Sequence, residues 1–294
     1  MPELPEVETI ISDLNKKIKG DMIADFWSDW PKAIKGKSLE AFRKEIKGRK
    51  ILGARRLGKN IFVDLSGGKT IYIHLKMTGH LLIKSKIKNQ KSKLRNDYFS
   101  DRVNQYVHHI WKLITNNKQL TTKTLEFSDL RKFGKIVLVD ADKLKELKEI
   151  KKLGVDAIDK EFTFDKFNGI LEKRKNKMIR DILMDQNLIA GIGNIYMSEI
   201  LFDAGILPSR AAEKINTSER KKLYNSIKKI LKKAVKLRGT SDSDYRDTSG
   251  APGNFQKVLR VYRREKQKCK KCGTIIKRIK IGQRSAFFCP RCQK

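Results

Sequence analysis

CKKCGTIIKRIKIGQRSAFFCPRC, residues 269–292, contains all four cysteines of the chain. They form two Cys-x2-Cys pairs, Cys269/Cys272 and Cys289/Cys292, with sixteen residues between the pairs. Each pair can aim two thiolates at one ion from a tight turn, and two pairs supply the closed four-sulfur set of structural zinc. Between them TIIKRIKI and SAFFC flank Gly282-Gln283-Arg284, which predicts a β-hairpin. One Zn2+ on Cys269, Cys272, Cys289 and Cys292 is therefore expected, holding shape and leaving no open position for chemistry. Lys277, Arg278, Lys280 and Arg284 would be presented on that rigid hairpin. Four buried or redox-active thiols are the alternative. A disulfide framework is disfavoured, because the N-terminus reads as acidic and helical with no basic, apolar leader.

Immediately upstream, GTSDSDYRDTSGAPGN (239–254) is rich in Gly, Ser and Asp and reads as a loop. Before it the apolar period is helical, with candidate helices at 143–151, 163–174, 178–187, 194–204 and 217–237. The last of these sets Leu223, Ile227, Ile230, Leu231, Ala234 and Leu237 along one face and lysines on the other. Before residue 140 the pattern is that of strands. IFVDL (61–65), a turn over 66–69 and TIYIHL (70–75) predict a hairpin, with further strands at 110–115, 123–128 and 135–140. KSKIKNQKSKLRND (84–97) reads as a basic polar loop.

The chain opens MPELPEVETIISDL. Pro5 suits the first turn of a helix, where its missing N–H costs nothing. Val7, Ile10, Ile11, Leu14 and Ile18 then follow at helical spacing, and Gly20 is a stop signal. A helix over 5–19 with one buried face would hold residues 2 and 3 still. The expected class is α+β and multi-domain: an N-terminal β-sandwich with an N-terminal helix (1–140), a helical part (141–254) and a zinc finger (255–294).

Lys and Arg number 67 against 33 Asp and Glu, a net charge of +34. That excess predicts a polyanionic partner, nucleic acid first and an anionic membrane surface second. No run of 18 apolar residues occurs, so no membrane-spanning helix is expected.

MPELPEVE, HLKMTG (74–79), DLRKFG (129–134), AGIGNIYMSEILFDAGI (190–206) and the terminal cysteine pairs occur in this order. Together they resemble the formamidopyrimidine-DNA glycosylase family, which excises oxidised purines from DNA. Leu4 favours this branch over the endonuclease VIII group, which opens PEGPE and prefers oxidised pyrimidines. The resemblance implies a helix–two-turn–helix fold for the helical part and a bifunctional glycosylase with AP lyase activity by β,δ-elimination. It also implies a double-stranded DNA partner carrying oxidised bases or abasic sites. A bacterial cytoplasmic location and a monomer are expected, with no membrane partner.

The residues suit that chemistry. Removal of Met1 would free Pro2 as a secondary amine, and an α-amino group titrates near ~8. Such an amine can attack the sugar C1′, displace the base and leave a cationic iminium, a Schiff-base intermediate. Glu3 would serve as the neighbouring general acid or base. Glu6 would either help there or simply complement the helix N-terminus. Lys59 matches the family's second catalytic cation. Met77, Arg131 and Phe133 match its void-filling trio, which occupies the space left by a flipped base. Here the sequence departs from the common pattern: Lys76 replaces a glycine, and Leu130-Arg131-Lys132 replaces Pro-Arg-Arg.

In AGIGNIY, glycines before a helix make an anion site of backbone N–H groups, and Asn194 would join it as a phosphate ligand. Arg284 is the matching phosphate contact from the finger. Glu199, Thr240 and Tyr245 are candidates for contact with the lesion, the last two in a loop that aligns with the segment covering extruded 8-oxoguanine. His74 reads as support for the Met77 loop. His108 and His109 do not read as a metal pair. Two other readings stand beside this one: the same fold acting on oxidised pyrimidines, and a non-enzymatic zinc-finger nucleic-acid-binding protein.

Overall fold

The computed structural model describes residues 1–86, 98–115 and 122–294. Contacts divide the chain into two units, Met1–Lys151 with Arg238–Asn254, and Lys152–Leu237 with Phe255–Lys294. This grouping differs from the linear division into 1–140, 141–254 and 255–294. The basic loop expected over 84–97 lies outside the described residues from position 87 onward.

In the first unit, helix α1 (Leu4–Lys17) begins at Glu3 and carries Pro5 in its first turn. Strands β1 (Met22–Ser28) and β2 (Ile34–Lys35), helix α2 (Leu39–Ile46), and strands β3 (Ile51–Leu57), β4 (Asn60–Leu65), β5 (Lys69–His74), β6 (His80–Lys86), β7 (Val107–Ile114), β8 (Thr122–Ser128) and β9 (Lys135–Asp140) follow. They make a four-stranded sheet, order β1-β7-β8-β6, and a five-stranded sheet, order β2-β9-β5-β4-β3. Only β2 and β9 pair in parallel among these neighbours.

One buried cluster draws on both sheets and the helix: Phe26, Trp111, Leu125 and Phe127 from the first, Ile61, Val63, Ile71 and Ile136 from the second, and Val7, Ile10 and Leu14 from α1. The layers are those of the expected sandwich with a packed helix. Burying each such side chain contributes about 1.5–3 kcal/mol, an upper bound. That burial is what immobilises the start of the chain.

Over 143–151 the structure differs from the expected helix. It forms a 3-10 segment at Ala141–Glu146 and a single turn, α3, at Lys148–Lys151. Leu144, Leu147 and Ile150 are three apart, the spacing that a 3-10 turn eclipses. They cover Phe62 and Tyr72 on the outer face of the five-stranded sheet. Residues Arg238–Asn254 also join this unit: Tyr245 sits in its core and the Ile83 N–H donates to the Thr248 carbonyl at 2.8 Å.

The second unit contains β10 (Val155–Asp156), α4 (Phe164–Lys173), α5 (Ile179–Met184), β11 (Ile189–Ala190), α6 (Asn194–Ala204), α7 (Thr217–Lys236), β12 (Lys277–Ile281) and β13 (Arg284–Phe288). α6 packs against both α7 and β13. At the start of α7, Asn216 and Glu219 form a capping box: the Glu219 N–H donates to the Asn216 side chain at 2.9 Å, and the Asn216 N–H donates to Glu219 at 3.0 Å. α6 ends at Gly205, whose φ of +79° closes the helix in the left-handed conformation. β12 and β13 pair antiparallel from Lys277↔Phe288 to Ile281↔Arg284, so the expected hairpin turns over Gly282 and Gln283.

Candidate functional site

Pro2 and Glu3 are buried at the head of α1, and Met1 before them is half exposed. Glu6, also buried, directs one carboxylate oxygen back to the Glu3 N–H at 2.7 Å. Its other oxygen accepts the Thr240 N–H at 2.7 Å. Gly239 passes so close that a Cβ there would lie 2.6 Å from the Glu6 carboxylate, and its φ is +80°. Only glycine meets both conditions. The Glu6 carboxylate thus complements the helix start, one of the two readings offered for it, and also holds the neighbouring loop.

That loop is pinned further along. Arg238 reaches Asp13 at 2.5 Å and Asp247 at 2.7 Å. Thr248 donates to the Asp13 carboxylate at 2.8 Å. Thr240 and Tyr245, offered for lesion contact, are both buried, Tyr245 within the hydrophobic core. Burial, with Glu6 nearby, raises the Tyr245 phenol well above its usual pKa, so it stays neutral.

Lys59 is buried at the turn between β3 and β4. His74, at the end of β5, accepts the Lys76 N–H on Nδ1 at 3.0 Å. Burial, then Lys76 and Lys59, press its imidazole down to about 4. It is therefore a neutral acceptor at pH 7 and shapes the turn that presents Met77. Lys76, just before Met77, and Lys132, just before Phe133, both have φ of +54°. These are the positions where the sequence leaves the common family pattern. Met77 and Phe133 are exposed at 42% and 51%, and the Arg131 guanidinium lies 4.6 Å over the Phe133 ring. Exposed apolar side chains on tight loops suit insertion into a base stack. Met1, Met77 and Phe133 line one cavity of about 520 Å³ together with Lys76, Lys132 and Lys135. Its lining combines apolar and cationic side chains.

Sequence reasoning missed what supports these loops. Asp129 accepts the backbone N–H groups of Phe133 and Gly134 at 2.9 and 2.7 Å. An aspartate opening a short loop before a glycine is the available signal, that of an Asx-type turn. Among the described residues His108 and His109 belong to no cluster of metal-ligating side chains. His108 pairs with Asp29 at 2.9 Å, and His109 is enclosed by Phe26, Trp30, Trp111 and Phe127.

In the second unit Asn194 opens α6, and its Oδ1 is buried without a hydrogen-bond partner among the described residues. The glycine turn before it is braced by Gln186, whose Nε2 donates to the Ile192 carbonyl at 2.8 Å and whose Oε1 accepts the Gly191 N–H at 2.9 Å. Arg284 is exposed at the finger turn, with one nitrogen 3.8 Å from the Met184 sulfur. Beneath it Arg180, 2% exposed, donates to the Ile281 carbonyl at 2.8 Å. Glu199, offered for the flipped base or sugar, takes another part. Its buried carboxylate accepts the N–H groups of Arg260, Val261 and Tyr262, each at 2.9 Å at its shortest. Every donor in that nest is backbone, so Glu199 anchors the chain leading into the finger.

The ligand sulfurs of Cys269, Cys272, Cys289 and Cys292 lie within 4.8 Å of one another. Cys269 and Cys292 are 3.9 Å apart, and Cys272 and Cys289 3.5 Å. A tetrahedral zinc with Zn–S of ~2.3 Å needs sulfurs about 3.8 Å apart, so the four fit one Zn2+ with small adjustment.

Three stretches match known families. Residues 1–136 match the formamidopyrimidine-DNA glycosylase N-terminal domain, 153–246 the H2TH domain of the same enzymes, and 266–294 the zinc finger found in FPG and IleRS. The chain is 38% identical to the formamidopyrimidine-DNA glycosylase of Pelotomaculum thermopropionicum, covering 100% of this chain and 99% of that one. It is 36% identical to the formamidopyrimidine-DNA glycosylase of Carboxydothermus hydrogenoformans, with 100% of each covered. Among solved structures it is similar to Lactococcus lactis Fpg in complex with abasic-site DNA, at TM-score 0.83, 31% identity and 99% coverage of each chain. It is equally similar, at TM-score 0.82 and 31% identity over 100% of each chain, to the same enzyme with DNA containing an oxidised pyrimidine.

Proposed function

Because the chain belongs to the formamidopyrimidine-DNA glycosylase family, and is a base-excision repair glycosylase with lyase activity, we propose that Pro2 is its nucleophile and that oxidised purines in duplex DNA are its substrates. The observation that carries this reading is the position of Pro2 and Glu3, buried at the head of a fixed helix, with Met1 lining the same cavity as Met77 and Phe133.

The chemistry begins with removal of Met1, since an acylated proline nitrogen has no lone pair to give. The free Pro2 amine attacks C1′ and forms a C–N bond. The bond from C1′ to the base nitrogen breaks, and Glu3 supplies a proton to the departing base or to the sugar ring oxygen. Opening of the sugar leaves an iminium that acidifies C2′, so the 3′ phosphate is expelled by β-elimination and the 5′ phosphate by δ-elimination. Lys59 stabilises the phosphate beside the reacting sugar. Met77, Arg131 and Phe133 fill the gap left by the flipped nucleotide. Asn194 with the α6 N-terminus, and Arg284 on the finger, grip the backbone phosphates. Zn2+ on the four cysteines keeps the finger folded and takes no part in bond making. Glu6 and the loop at 239–240 hold Glu3 and the lesion-side segment in register.

No helix among the described residues is long and apolar enough to cross a membrane. The bacterial relatives and the DNA substrate support work in the cytoplasm, on the nucleoid. The test is excision from a duplex with a single 8-oxoguanine, run beside a duplex with an oxidised pyrimidine, with the N-terminal mass of the same preparation. Purine release by protein lacking Met1 supports the reading. Binding without release by protein that lacks Met1 would leave only a DNA-binding protein.

A further inference from the structure

Two loops carry the three exposed residues assigned to gap filling, and two buried side chains tie those loops together. Asp129 Oδ2 accepts the N–H groups of Phe133 and Gly134. Its Oδ1 accepts the Thr78 hydroxyl at 2.5 Å. The Thr78 Oγ1 in turn accepts the Arg131 N–H at 3.1 Å. One carboxylate and one hydroxyl thus serve donors from both loops, 51 residues apart in sequence. Asp129 is 1% and Thr78 6% exposed, so water is a poor substitute for either. The backs of both loops rest on one ring: a Cβ on Gly79 or Gly134 would come within 2.6 or 2.5 Å of Phe127. Neither loop has room to settle toward the core on its own.

We propose that the Thr78–Asp129 pair is a positioning device that makes Met77, Arg131 and Phe133 enter DNA as a single wedge. Arg131 depends on it most, because its backbone is held by the Thr78 oxygen and a guanidinium recognises a base edge only when its stem is fixed. This inference rests on the gap-filling role given to the three residues above.

Energetic coupling between the loops tests it. Excision kcat/KM on the 8-oxoguanine duplex is measured for Met77→Ala, Phe133→Ala and the double variant, first in the otherwise unchanged full-length zinc-loaded protein and then with Thr78→Val. In the unchanged background the two losses should be non-additive by about tenfold, the size typical of residues sharing one network. With Thr78→Val they should multiply independently, and Thr78→Ser, which keeps the hydroxyl, should restore the coupling. Additive losses in the unchanged background, or coupling that survives Thr78→Val, would overturn the device. A different result, in which neither single alanine variant slows excision, would instead reject the gap-filling roles themselves.

Discussion

Glu6 and Thr240 meet through a 2.7 Å hydrogen bond, and the Glu6 oxygen not used there takes the Glu3 N–H at the same distance. One buried carboxylate therefore joins the segment bearing Pro2 and Glu3 to the segment that returns from α7. Glu6→Gln keeps the shape but turns an NH2 toward one of two N–H donors, whichever way the amide lies. A loss of about 1–3 kcal/mol is expected. Denaturant unfolding should show a lower midpoint at unchanged slope, and single-turnover excision should slow.

The pH dependence of stability follows from two histidines. His74 is held down to about 4 by burial, Lys76 and Lys59, and His109 to about 4 by burial and His108. An unfolded histidine titrates near ~6.5. Between those values the unfolded chain binds more protons, so stability is lost as pH falls from about 6.5 to about 4 and levels off below. Across that window each lowers stability by up to about 3 kcal/mol relative to neutral pH. Both ring nitrogens of His109 are buried without hydrogen-bond partners among the described residues, inside an aromatic enclosure. His109→Phe should therefore leave stability at pH 7 unchanged or raised by up to about 1 kcal/mol. It should also flatten the loss between pH 6.5 and 4. Urea titrations across that range measure both effects, and an unchanged slope would contradict the buried neutral imidazole.

Lys76 and Lys132 adopt φ of +54°, which disfavours any side chain with a Cβ. Lys76→Gly should raise stability by about 0.5–1 kcal/mol, the relief of strain outweighing the added freedom of the unfolded chain. A lower unfolding midpoint would show that the lysine side chain contributes more than its backbone costs.

Removal of zinc by a chelator should unfold the finger, because four thiolates without an ion have little else to hold the hairpin. Loss of one zinc per chain, loss of DNA affinity and return of both on adding Zn2+ are expected. DNA affinity that persists after metal loss would remove the finger from the interface.

Much of this was legible in the chain, for local reasons. The helix that fixes Pro2, the hairpin of β4 and β5, the α7 face and the cysteine module are each set by contiguous periodicity. Six of the described strands, β1, β2, β3, β6, β10 and β11, go beyond those expectations, and two of them are irregular. Bulges between Ile23 and Asp25 in β1 and between Ile51 and Gly53 in β3 break the two-residue alternation. Helix α2 is only eight residues long, with Ser38 as its cap, too short for a firm period. The candidate site divides in the same way. Motif residues such as Pro2, Met77 and Asn194 can be named singly, whereas Asp129, Thr78 and Gln186 matter only through contacts made on folding. Glu199 and Tyr245 show the converse: each lies in or near a suggestive stretch, yet the fold gives one a nest of backbone N–H groups and the other a place in the core.

Borohydride reduction during reaction with an 8-oxoguanine duplex, followed by peptide mass mapping, tests the Pro2 chemistry most directly. The expected product is a stable protein–DNA adduct whose modified peptide begins at Pro2, with none formed when the amine is blocked by a retained Met1. An adduct on Lys59 or another lysine, or base release continuing at full rate from the blocked protein, would contradict it.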